Sequence, residues 1–319
     1  MASPAAPLLV LFGPTGAGKS RIALALAEAH GAEIVSADSV QVYRGLDIGS
    51  AKPTANERAR VPHHGLDLFD PREQSDAARW VTAVEPAIQH GVAAGRPPIV
   101  CGGTGLYVRA LLVGLADIPS VPGAVREAVR ARMADEGPER LHLELARVDP
   151  PTAARLEQAD RQRIARALEV FAATGTPLST FLAAAPSAPR YAARVVALVP
   201  TSSGLHARIA ERAEAMIAAG LIEEVQELLA AGVPPDAPAF HTLGYREVVA
   251  SLLAHPAGLG ASERRALVEA VARGHRQYAK RQLVWLRGSG MRGLDVTTLD
   301  PDAPDTRARL EALMTAARS

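Results

Sequence analysis

Gly13-Pro14-Thr15-Gly16-Ala17-Gly18-Lys19-Ser20 is the stretch of sequence that decides the fold. It follows an apolar run from Leu8 to Phe12 and precedes a helix-like segment from Arg21 to His30. Strand, loop and helix in this order are the context that a phosphate-binding loop requires, which argues against a chance match in an Ala/Gly-rich chain. We call residues 13–20 the phosphate loop.

The spacing of the phosphate loop has a physical reason. Its glycines let backbone N–H groups turn towards phosphate oxygens, and the start of the following helix adds partial positive charge. We expect Lys19 to pair with a phosphate and Ser20 to ligate Mg²⁺. The motif alone leaves open whether the protein is a kinase, an NTPase or another phosphate-binding enzyme.

Composition excludes several classes of protein. The chain has 319 residues, of which 48% are hydrophobic, so it can bury a sizeable core in one large or two modest domains. It has no apolar run of membrane-spanning length, and its N-terminus lacks the pattern of a signal peptide, so we expect a cytoplasmic protein with no membrane contact. Cys101 is the only cysteine, which excludes an internal disulfide and a cysteine-based zinc site within one chain.

Basic residues are informative through their distribution, since the formal net charge is only +1. Only three are lysines, namely Lys19, Lys52 and Lys280. Lys52 lies in a loop rich in turn-forming residues, where it is either a second phosphate contact or a solvated charge. The neighbouring His63 and His64 have strand character and would face opposite sides, so we interpret them as structural and not as a zinc site.

Two further strand ends supply candidate groups. The segment Glu33 to Asp38 reads as a short strand that ends in a carboxylate, which is predicted to be a general base or metal ligand, or a helix N-cap. Pro98 to Cys101 is another strand, and it leads into Gly102-Gly103-Thr104-Gly105, where the backbone can approach a ligand and Thr104 offers a hydroxyl. Alternating strands and helices predict an α/β fold with a parallel sheet covered by helices.

From about Val108 to Leu182 the sequence is rich in helix formers, which predicts a helical insertion. Asp160 is its clearest N-cap, followed by a core stripe of Ile164, Leu168 and Phe171. Gln162, Arg163 and Arg166 fall off that stripe, either as a solvated cationic face or as a binding surface.

The next predicted strand runs from Arg194 to Val199, and two arginines lie in the helix predicted after it. Arg208 and Arg212 lie one turn apart on a helix predicted from His206 to Ala231. They can clamp a diphosphate, or they can pair with nearby glutamates on the surface, and the pattern favours neither.

The last predicted helix, Glu263 to Arg287, carries an unusual charge pattern. Between Ala270 and Leu294 there is no carboxylate. The six cations of this stretch are Arg273, Arg276, Lys280, Arg281, Arg287 and Arg292. A solvent-exposed face would normally intersperse both signs, so the pattern favours a surface that binds a nucleic-acid backbone.

Taken together, these motifs resemble the tRNA dimethylallyltransferase family, also called tRNA isopentenyltransferases, of bacterial type. The matching segments run in family order: the phosphate loop, Asp38 to Tyr43, Asp47 to Pro53, Gly102 to Tyr107, Asp160 to Arg163, Leu168 to Gly175, Gly220 to Val225, Gly244 to Arg246 and Lys280 to Arg287. The resemblance implies a P-loop NTPase-like catalytic core of residues 1–110 and 191–319, and a helical insertion of residues 111–190 that contacts tRNA.

The resemblance also implies an activity. The family transfers the dimethylallyl group from dimethylallyl diphosphate to N6 of adenosine 37 in the anticodon stem-loop of tRNA, with Mg²⁺. In this family the phosphate loop holds the diphosphate and not ATP. Because the target base must leave the anticodon-loop stack, base flipping is expected. The implied partners are tRNA and dimethylallyl diphosphate, and we expect a monomer.

Residue roles carry over onto matching positions. Asp38 corresponds to the general base, with Thr104 as its partner near the reacting amine or the bridging oxygen. Lys19, Ser20 with Mg²⁺, and Arg212 in preference to Arg208 correspond to groups that stabilise the departing diphosphate. The positions that align with tRNA contacts are Asp38, Ser39, Val40, Gln41, Thr104, Arg126, Gln162, Arg163, Ile164, Ala165, Arg166, His241, Thr242, Leu243, Gly244, Tyr245, Arg246, Lys280, Arg281, Gln282, Trp285 and Arg287.

Some features depart from the family pattern or leave other classes open. His241 stands where relatives usually carry arginine or methionine, and Gln74 to Ala77 is looser than the usual form. A nucleotide or nucleoside kinase shares the phosphate loop and Mg²⁺ but needs no acid-free basic helix. A non-catalytic RNA-binding module that uses nucleotide as a switch would not need Asp38 as a base.

Overall fold

The computed structural model describes residues 7–186, 188–288, 291 and 293–315. Arg292, one of the six cations of the basic stretch, lies outside the described residues. Within them, six strands form one parallel sheet, which confirms the predicted α/β architecture. The strands are β1 (Leu8–Phe12), β2 (Ile34–Ser36), β3 (His63–His64), β4 (Ile99–Gly102), β5 (Ala193–Leu198) and β6 (Val296–Leu299).

The described helices are α1 (Lys19–His30), α2 (Ala55–Arg60), α3 (Ala77–Ala93), α4 (Gly105–Leu112), α5 (Gly123–Asp135), α6 (Gly137–Val148), α7 (Pro150–Ala153), α8 (Arg161–Thr174), α9 (Leu178–Ala183), α10 (Ser202–Ala218), α11 (Leu221–Ala230), α12 (Tyr245–Ala254), α13 (Ala261–Arg287) and α14 (Thr306–Thr315), with a 3-10 turn at Pro238–His241. None of the helices in the described ranges has both the length and the hydropathy of a membrane span.

Strand β1 lies at the centre of the sheet, between β4 and β5 in the order β3-β2-β4-β1-β5-β6. Phe12 pairs with Gly102 on one side and with Ala197 on the other. All five residues of β1 are buried, as expected for a parallel strand covered on both faces. The phosphate loop therefore leaves the middle of the sheet beside the end of β4, at the edge where α/β proteins bind ligands.

The chain forms two compact units. One unit comprises Met1–Leu112 with Pro189–Ser319, and the other comprises Val113–Ala188, which lies within the range 111–190 predicted for the insertion. The second unit contains α5 to α9, and its core includes buried Ile164 and Leu168 from α8. Asp160 accepts a hydrogen bond from the backbone N–H of Arg163, so the predicted N-cap is confirmed.

The helix predicted from His206 to Ala231 is two helices. It is interrupted at Gly220, whose φ of 102° is a left-handed conformation that favours glycine. Helix α10 ends at Ala218, and α11 begins at Leu221 with Glu223 and Glu224 in its first turn. Helix propensity on both sides of the glycine hid this break, because alanine and glutamate continue a helical pattern equally well.

Lys52 is neither a phosphate contact nor a solvated charge, so both alternatives from the sequence are wrong. Its side chain is 1% exposed. The ammonium donates hydrogen bonds to Tyr43 O, Asp47 Oδ1 and Asp67 Oδ1, each at 2.6 Å. Three acceptors compensate the desolvation of the charge, and Lys52 thereby fixes the loop that runs from Tyr43 to its own position.

We predict that Lys52→Met destabilises the protein by about 2–3 kcal/mol, because it leaves two carboxylates and a carbonyl around an uncharged side chain. Arg60→Met is the matched control, since Arg60 pairs with Glu28 at 2.7 Å on the exposed side of α2 and should cost about 0.5 kcal/mol or less. Urea unfolding of both variants measures the difference. Equal losses in the free energy of unfolding would show that the Lys52 cluster stabilises the protein no more than an exposed ion pair does.

Candidate active site

A cavity of about 270 Å³ opens at the carboxyl ends of β1, β2 and β4. Its wall includes most of the phosphate loop, Asp38 after β2, and Gly102 and Gly103 at the end of β4. Helix α10 contributes Arg212, and α13 contributes residues from its middle turns. The structure therefore brings the predicted phosphate, base and arginine groups into one cavity.

The phosphate loop depends on close backbone contacts. A Cβ atom on Gly13 would lie 2.4 Å from Leu198 O at the end of β5, so only glycine allows this path. The loop then runs into α1, whose first residues, Lys19, Ser20 and Arg21, line the cavity. The N–H groups of a helix's first turn have no intrahelical partners. This is the arrangement that binds anionic oxygens.

Lys19 enters the same cavity. Its Nζ donates to Pro14 O at 2.8 Å. Burial lowers the pKa of Lys19 to about 8, against the opposing effects of Cys101 and Asp38. Lys19 is half-buried and its ammonium has one neutral hydrogen-bond acceptor, so an anion bound beside it would gain a strong interaction.

Asp38 is held by a turn of its own chain. Its Oδ1 accepts hydrogen bonds from the N–H of Val40 at 2.8 Å and of Gln41 at 3.4 Å. The residues after Asp38 form turns and not a helix, so the alternative of a helix N-cap is wrong. The turn fixes one oxygen and leaves Oδ2 without a hydrogen bond to any described residue, able to accept a proton.

Thr104 lies beside this turn. Its Oγ1 accepts from the N–H of Ser39 at 2.9 Å and donates to Ser39 Oγ at 3.2 Å. Its own N–H donates to Ala37 O at 3.1 Å. A Cβ on Gly102 would lie 2.1 Å from Ala37 O, so the ends of β2 and β4 approach through a glycine. Thr104 and Asp38 are thus fixed relative to each other by hydrogen bonds between adjacent residues.

The two arginines of α10 diverge. Arg208 pairs with Asp302 at 2.5 Å, away from the cavity lining. Arg212 lines the cavity, and its buried Nε has no hydrogen-bond partner among the described residues. Burial lowers the pKa of Arg212, and only the Asp38 carboxylate opposes this effect. The choice that the sequence left open is resolved in favour of Arg212 as the cavity cation.

Sequence reasoning missed two cavity residues of α13. His275 is buried, and its Nδ1 lies 2.8 Å from Val271 O, so Nδ1 carries the proton. Burial lowers the pKa of His275 and raises that of Tyr278 to about 12, so both side chains are neutral near pH 7. Their spacing in the sequence could have identified them. His275 lies one turn after Val271, and Tyr278 lies one turn before Gln282, on the side of α13 away from the exposed cations.

Glu224 is a second group that the sequence did not single out. Its carboxylate accepts the N–H groups of Asp47 at 2.9 Å and Ile48 at 2.7 Å, and the hydroxyl of Tyr245 at 2.6 Å. It thereby holds the loop whose next residues, Gly49 to Ala51, line the cavity.

The basic stretch of α13 divides into two faces. Arg273, Lys280, Arg281 and Arg287 are exposed, as a surface that binds a nucleic-acid backbone requires. His241 and Arg246 are also exposed, while Thr242 and Leu243 are half-buried. Trp285 is half-buried with its Nε1 sequestered, and a Cβ on Gly105 would lie 2.1 Å from that nitrogen.

The candidate RNA contacts of the second unit lie on α5 and α8. Arg126, Gln162, Arg163 and Arg166 are exposed, and Ala165 is half-buried. Arg126 donates to Val121 O, and the other two arginines form loose ion pairs with Asp160 at 3.4 Å and Glu169 at 3.8 Å. Pairs of this kind contribute little and leave the guanidinium groups free to exchange partners.

Five residues that align with tRNA contacts have other roles in the structure. Ile164 fills the core of the second unit. Gln41 donates to Ser50 O and Ala51 O, and Gly244 with Tyr245 is buried where α12 begins. Gln282 bonds to the phosphate loop. Ile164 and Tyr245 are therefore held in the protein's interior, whereas Gln41 and Gln282 line the cavity. An RNA contact at these five positions stays a prediction.

A metal site would have to combine protein and substrate oxygens. No group of three or more His, Cys, Asp or Glu in the described ranges could hold a metal. Ser20 lies exposed at the start of α1 on the cavity wall, which also includes the Asp38 carboxylate. Mg²⁺ prefers hard oxygen ligands and is commonly held by one or two protein groups together with phosphate oxygens and water, so these residues fit it.

Known proteins share this sequence over nearly its whole length. The model of a family described as IPP transferase matches residues 41–289, and an isopentenyl transferase model matches residues 6–62. The chain belongs to the IPP transferase family. Among its relatives, tRNA dimethylallyltransferase 1 of Trichlorobacter lovleyi is 47% identical over 281 residues, which are 88% of this chain and 90% of the relative. The tRNA dimethylallyltransferase of Anaeromyxobacter dehalogenans is 46% identical over 302 residues, 95% and 98% of the two chains.

Solved structures of IPP transferase relatives agree with the fold. The full-length tRNA isopentenylpyrophosphate transferase from Bacillus halodurans is 31% identical with a TM-score of 0.67, and the match covers 98% of this chain and 97% of that one. A eukaryotic dimethylallyltransferase acting on tRNA is 25% identical with a TM-score of 0.79, covering 98% of this chain and 78% of the other.

The lowered pKa of Lys19 predicts proton uptake on anion binding. At pH 8.5 most empty protein would carry a neutral Lys19, whereas an adjacent diphosphate favours the ammonium, so binding should take up roughly half a proton or more. Calorimetry with methyl diphosphate, in buffers of different ionisation enthalpy, measures this uptake. Affinity should fall as pH rises above about 8.

Lys19→Arg is the control, because an arginine stays protonated throughout this range and should abolish the uptake. Uptake that is equal at pH 6.5 and pH 8.5, or that persists in Lys19→Arg, would contradict the assignment of the titrating group.

Proposed function

We propose that the protein transfers the dimethylallyl group of dimethylallyl diphosphate to N6 of adenosine 37 in tRNA and releases diphosphate. The observation that carries the proposal is that two half-buried cations with few hydrogen-bond acceptors line a single cavity together with one carboxylate. Lys19 and Arg212 favour an anionic leaving group, and Asp38 can accept a proton next to it. The names of the relatives point to the same reaction.

In the proposed reaction, the adenine N6 forms a bond to C1 of the dimethylallyl group as the C1–O bond breaks. The bonding electron pair leaves with the diphosphate, where charge grows during the transition state. Lys19, Arg212 and the N–H groups at the start of α1 lie where they would stabilise that charge. The leaving group therefore departs into a site built for anions.

Asp38 supplies the proton acceptor. The lone pair of an exocyclic adenine amine is delocalised, so the amine becomes nucleophilic only as it loses a proton. With Oδ1 fixed by Val40 and Gln41, the second oxygen of Asp38 can orient the amine and take the proton. Thr104, fixed against Ser39, provides a hydroxyl beside the same position.

A divalent cation would complete the anion site. Ser20 would hold Mg²⁺ together with oxygens of the diphosphate, and the ion would neutralise part of the charge on the leaving group when bound. The exposed cations of α13 supply a surface for the tRNA backbone, adjacent along the helix to the residues that line the cavity.

Mass analysis of tRNA nucleosides after incubation with dimethylallyl diphosphate tests the proposal directly. We expect a dimethylallyl group on one adenosine per tRNA, at position 37, with release of diphosphate. Phosphoryl transfer from ATP to a small acceptor without prenylated tRNA would instead establish a kinase, and nucleotide-dependent RNA binding with no covalent product would establish a switch.

We predict that Asp38→Asn lowers the single-turnover rate of transfer at least about 100-fold, because the amide keeps the size of the carboxylate but cannot accept the proton. Binding of tRNA should stay within about twofold, since the substitution removes no phosphate contact. Rapid-quench assays and filter binding measure the two quantities. Normal turnover by Asp38→Asn would sink the assignment of the base.

The arginines of α10 give a matched pair for the leaving-group site. Arg212→Met should weaken binding of inorganic diphosphate in the presence of Mg²⁺ by roughly 10- to 100-fold, because charge-assisted hydrogen bonds are lost. Arg208→Met, one turn away, should change it less than twofold, because Arg208 pairs with Asp302. Equal losses in the two variants would mean that only the general charge of α10 matters.

A further inference from the structure

Gln282 lies between the exposed cations of α13 and the half-buried Trp285, yet it is only 5% exposed. The family resemblance placed it among tRNA contacts. In the structure its side chain points the other way and lines the cavity together with the phosphate loop. Its polar atoms are therefore not available to RNA on the surface of α13.

Both ends of the Gln282 amide are bonded to backbone. Oε1 accepts the N–H of Thr15 at 2.8 Å, and Nε2 donates to Gly103 O at 2.8 Å. One partner is a donor and the other an acceptor, so the amide has a single satisfactory orientation. Neither a carboxylate nor an amine could supply both bonds.

The bond to Thr15 matters because of the peptide group that contains it. The N–H of Thr15 and the carbonyl of Pro14 belong to one planar trans peptide, so they point in opposite directions. That carbonyl accepts the Lys19 ammonium at 2.8 Å. By holding the N–H on one side, Gln282 aims the carbonyl at Lys19 on the other side.

The bond to Gly103 ties the same amide to the end of β4. A Cβ on Gly103 would lie 2.1 Å from Gln282 Nε2, so a side chain at position 103 would displace the amide from this position. Gln282 therefore joins the loops that come after two neighbouring strands, β1 and β4. Residues of both loops line the cavity, and so does Gln282 itself.

We propose that Gln282 is a positioning residue for the diphosphate site: it fixes the Pro14–Thr15 peptide and, through it, the Lys19 ammonium. This inference rests on the proposed function for the identity of the anion. Gln282 then belongs to the diphosphate site, although the exposed face of its helix, α13, suits RNA. Neighbouring residues of α13 then serve different substrates.

Three variants of α13 in the full-length protein test the proposal, each measured for two affinities. Gln282→Met keeps the length of the side chain and removes both hydrogen bonds. Lys280→Ala removes an exposed cation two residues away, and Gln277→Met is the matched control at an exposed glutamine of the same helix. The probes are inorganic diphosphate with Mg²⁺ in the absence of RNA, and tRNA in the absence of diphosphate.

We expect Gln282→Met to raise the Kd for diphosphate roughly tenfold and to leave the Kd for tRNA within twofold. Lys280→Ala should raise the Kd for tRNA and leave the Kd for diphosphate unchanged, and Gln277→Met should change neither Kd. In steady-state assays Gln282→Met should raise KM for the prenyl diphosphate and leave KM for tRNA unchanged. A residue with only a structural role would lower the unfolding midpoint without this division between substrates.

Two results would overturn the proposal: an unchanged diphosphate Kd in Gln282→Met, or a loss confined to tRNA. Gly103→Ala is a second test in case Gln282→Met does not fold. The added methyl group would displace Gln282 Nε2 from Gly103 O, so this variant should also lose affinity for diphosphate and keep its affinity for tRNA. If the wild-type protein itself does not bind diphosphate, the proposed function is wrong. If the wild-type protein binds diphosphate and both Gln282→Met and Gly103→Ala bind it equally well, only the positioning role of Gln282 is wrong.

Discussion

The site depends on backbone approaches that leave no room for a side chain. Gly102 lies against Ala37, and Gly13 lies against Leu198, at distances where a Cβ would overlap the carbonyl oxygens. Because of these contacts the ends of β1, β2, β4 and β5 converge instead of splaying apart. Asp38, Thr104 and the phosphate loop come directly after these strand ends, so their separation is set by the sheet and not by flexible loops.

The contrast between buried Lys52 and half-buried Lys19 shows what distinguishes a structural cluster from a binding site. Lys52 has three oxygen acceptors, two of them carboxylates, and its charge is fully compensated within the protein. Lys19 has one carbonyl as acceptor, and of its charged neighbours Asp38 favours the ammonium while Arg212 opposes it. A folded protein tolerates such an incomplete arrangement where a ligand completes it, so incomplete compensation marks the cavity as a site for an anion.

The sequence predicted those parts of the structure that depend on local patterns. The phosphate loop, the strand before Asp38 and the cap at Asp160 each depend on residues close together in the chain. The loop and the cap agree with the structure, whereas the strand predicted to run to Asp38 ends at Ser36. The partners of Lys52 and the role of Gln282 were beyond this reasoning. Gln282 bonds to residues 267 and 179 positions away, and within its own helix it looks like one more polar residue among cations.

Helix α11 carries a consequence for how this chain can vary in length. Gly220 starts the helix afresh, and four residues later Glu224 meets the N–H groups of the loop at Asp47 and Ile48. Each residue added to a helix rotates the remainder of that helix by about 100°. One inserted or deleted residue between Gly220 and Glu224 would turn the carboxylate away from the loop. The number of residues from Gly220 to Glu224 is therefore constrained by the structure, although neither residue touches the reacting atoms.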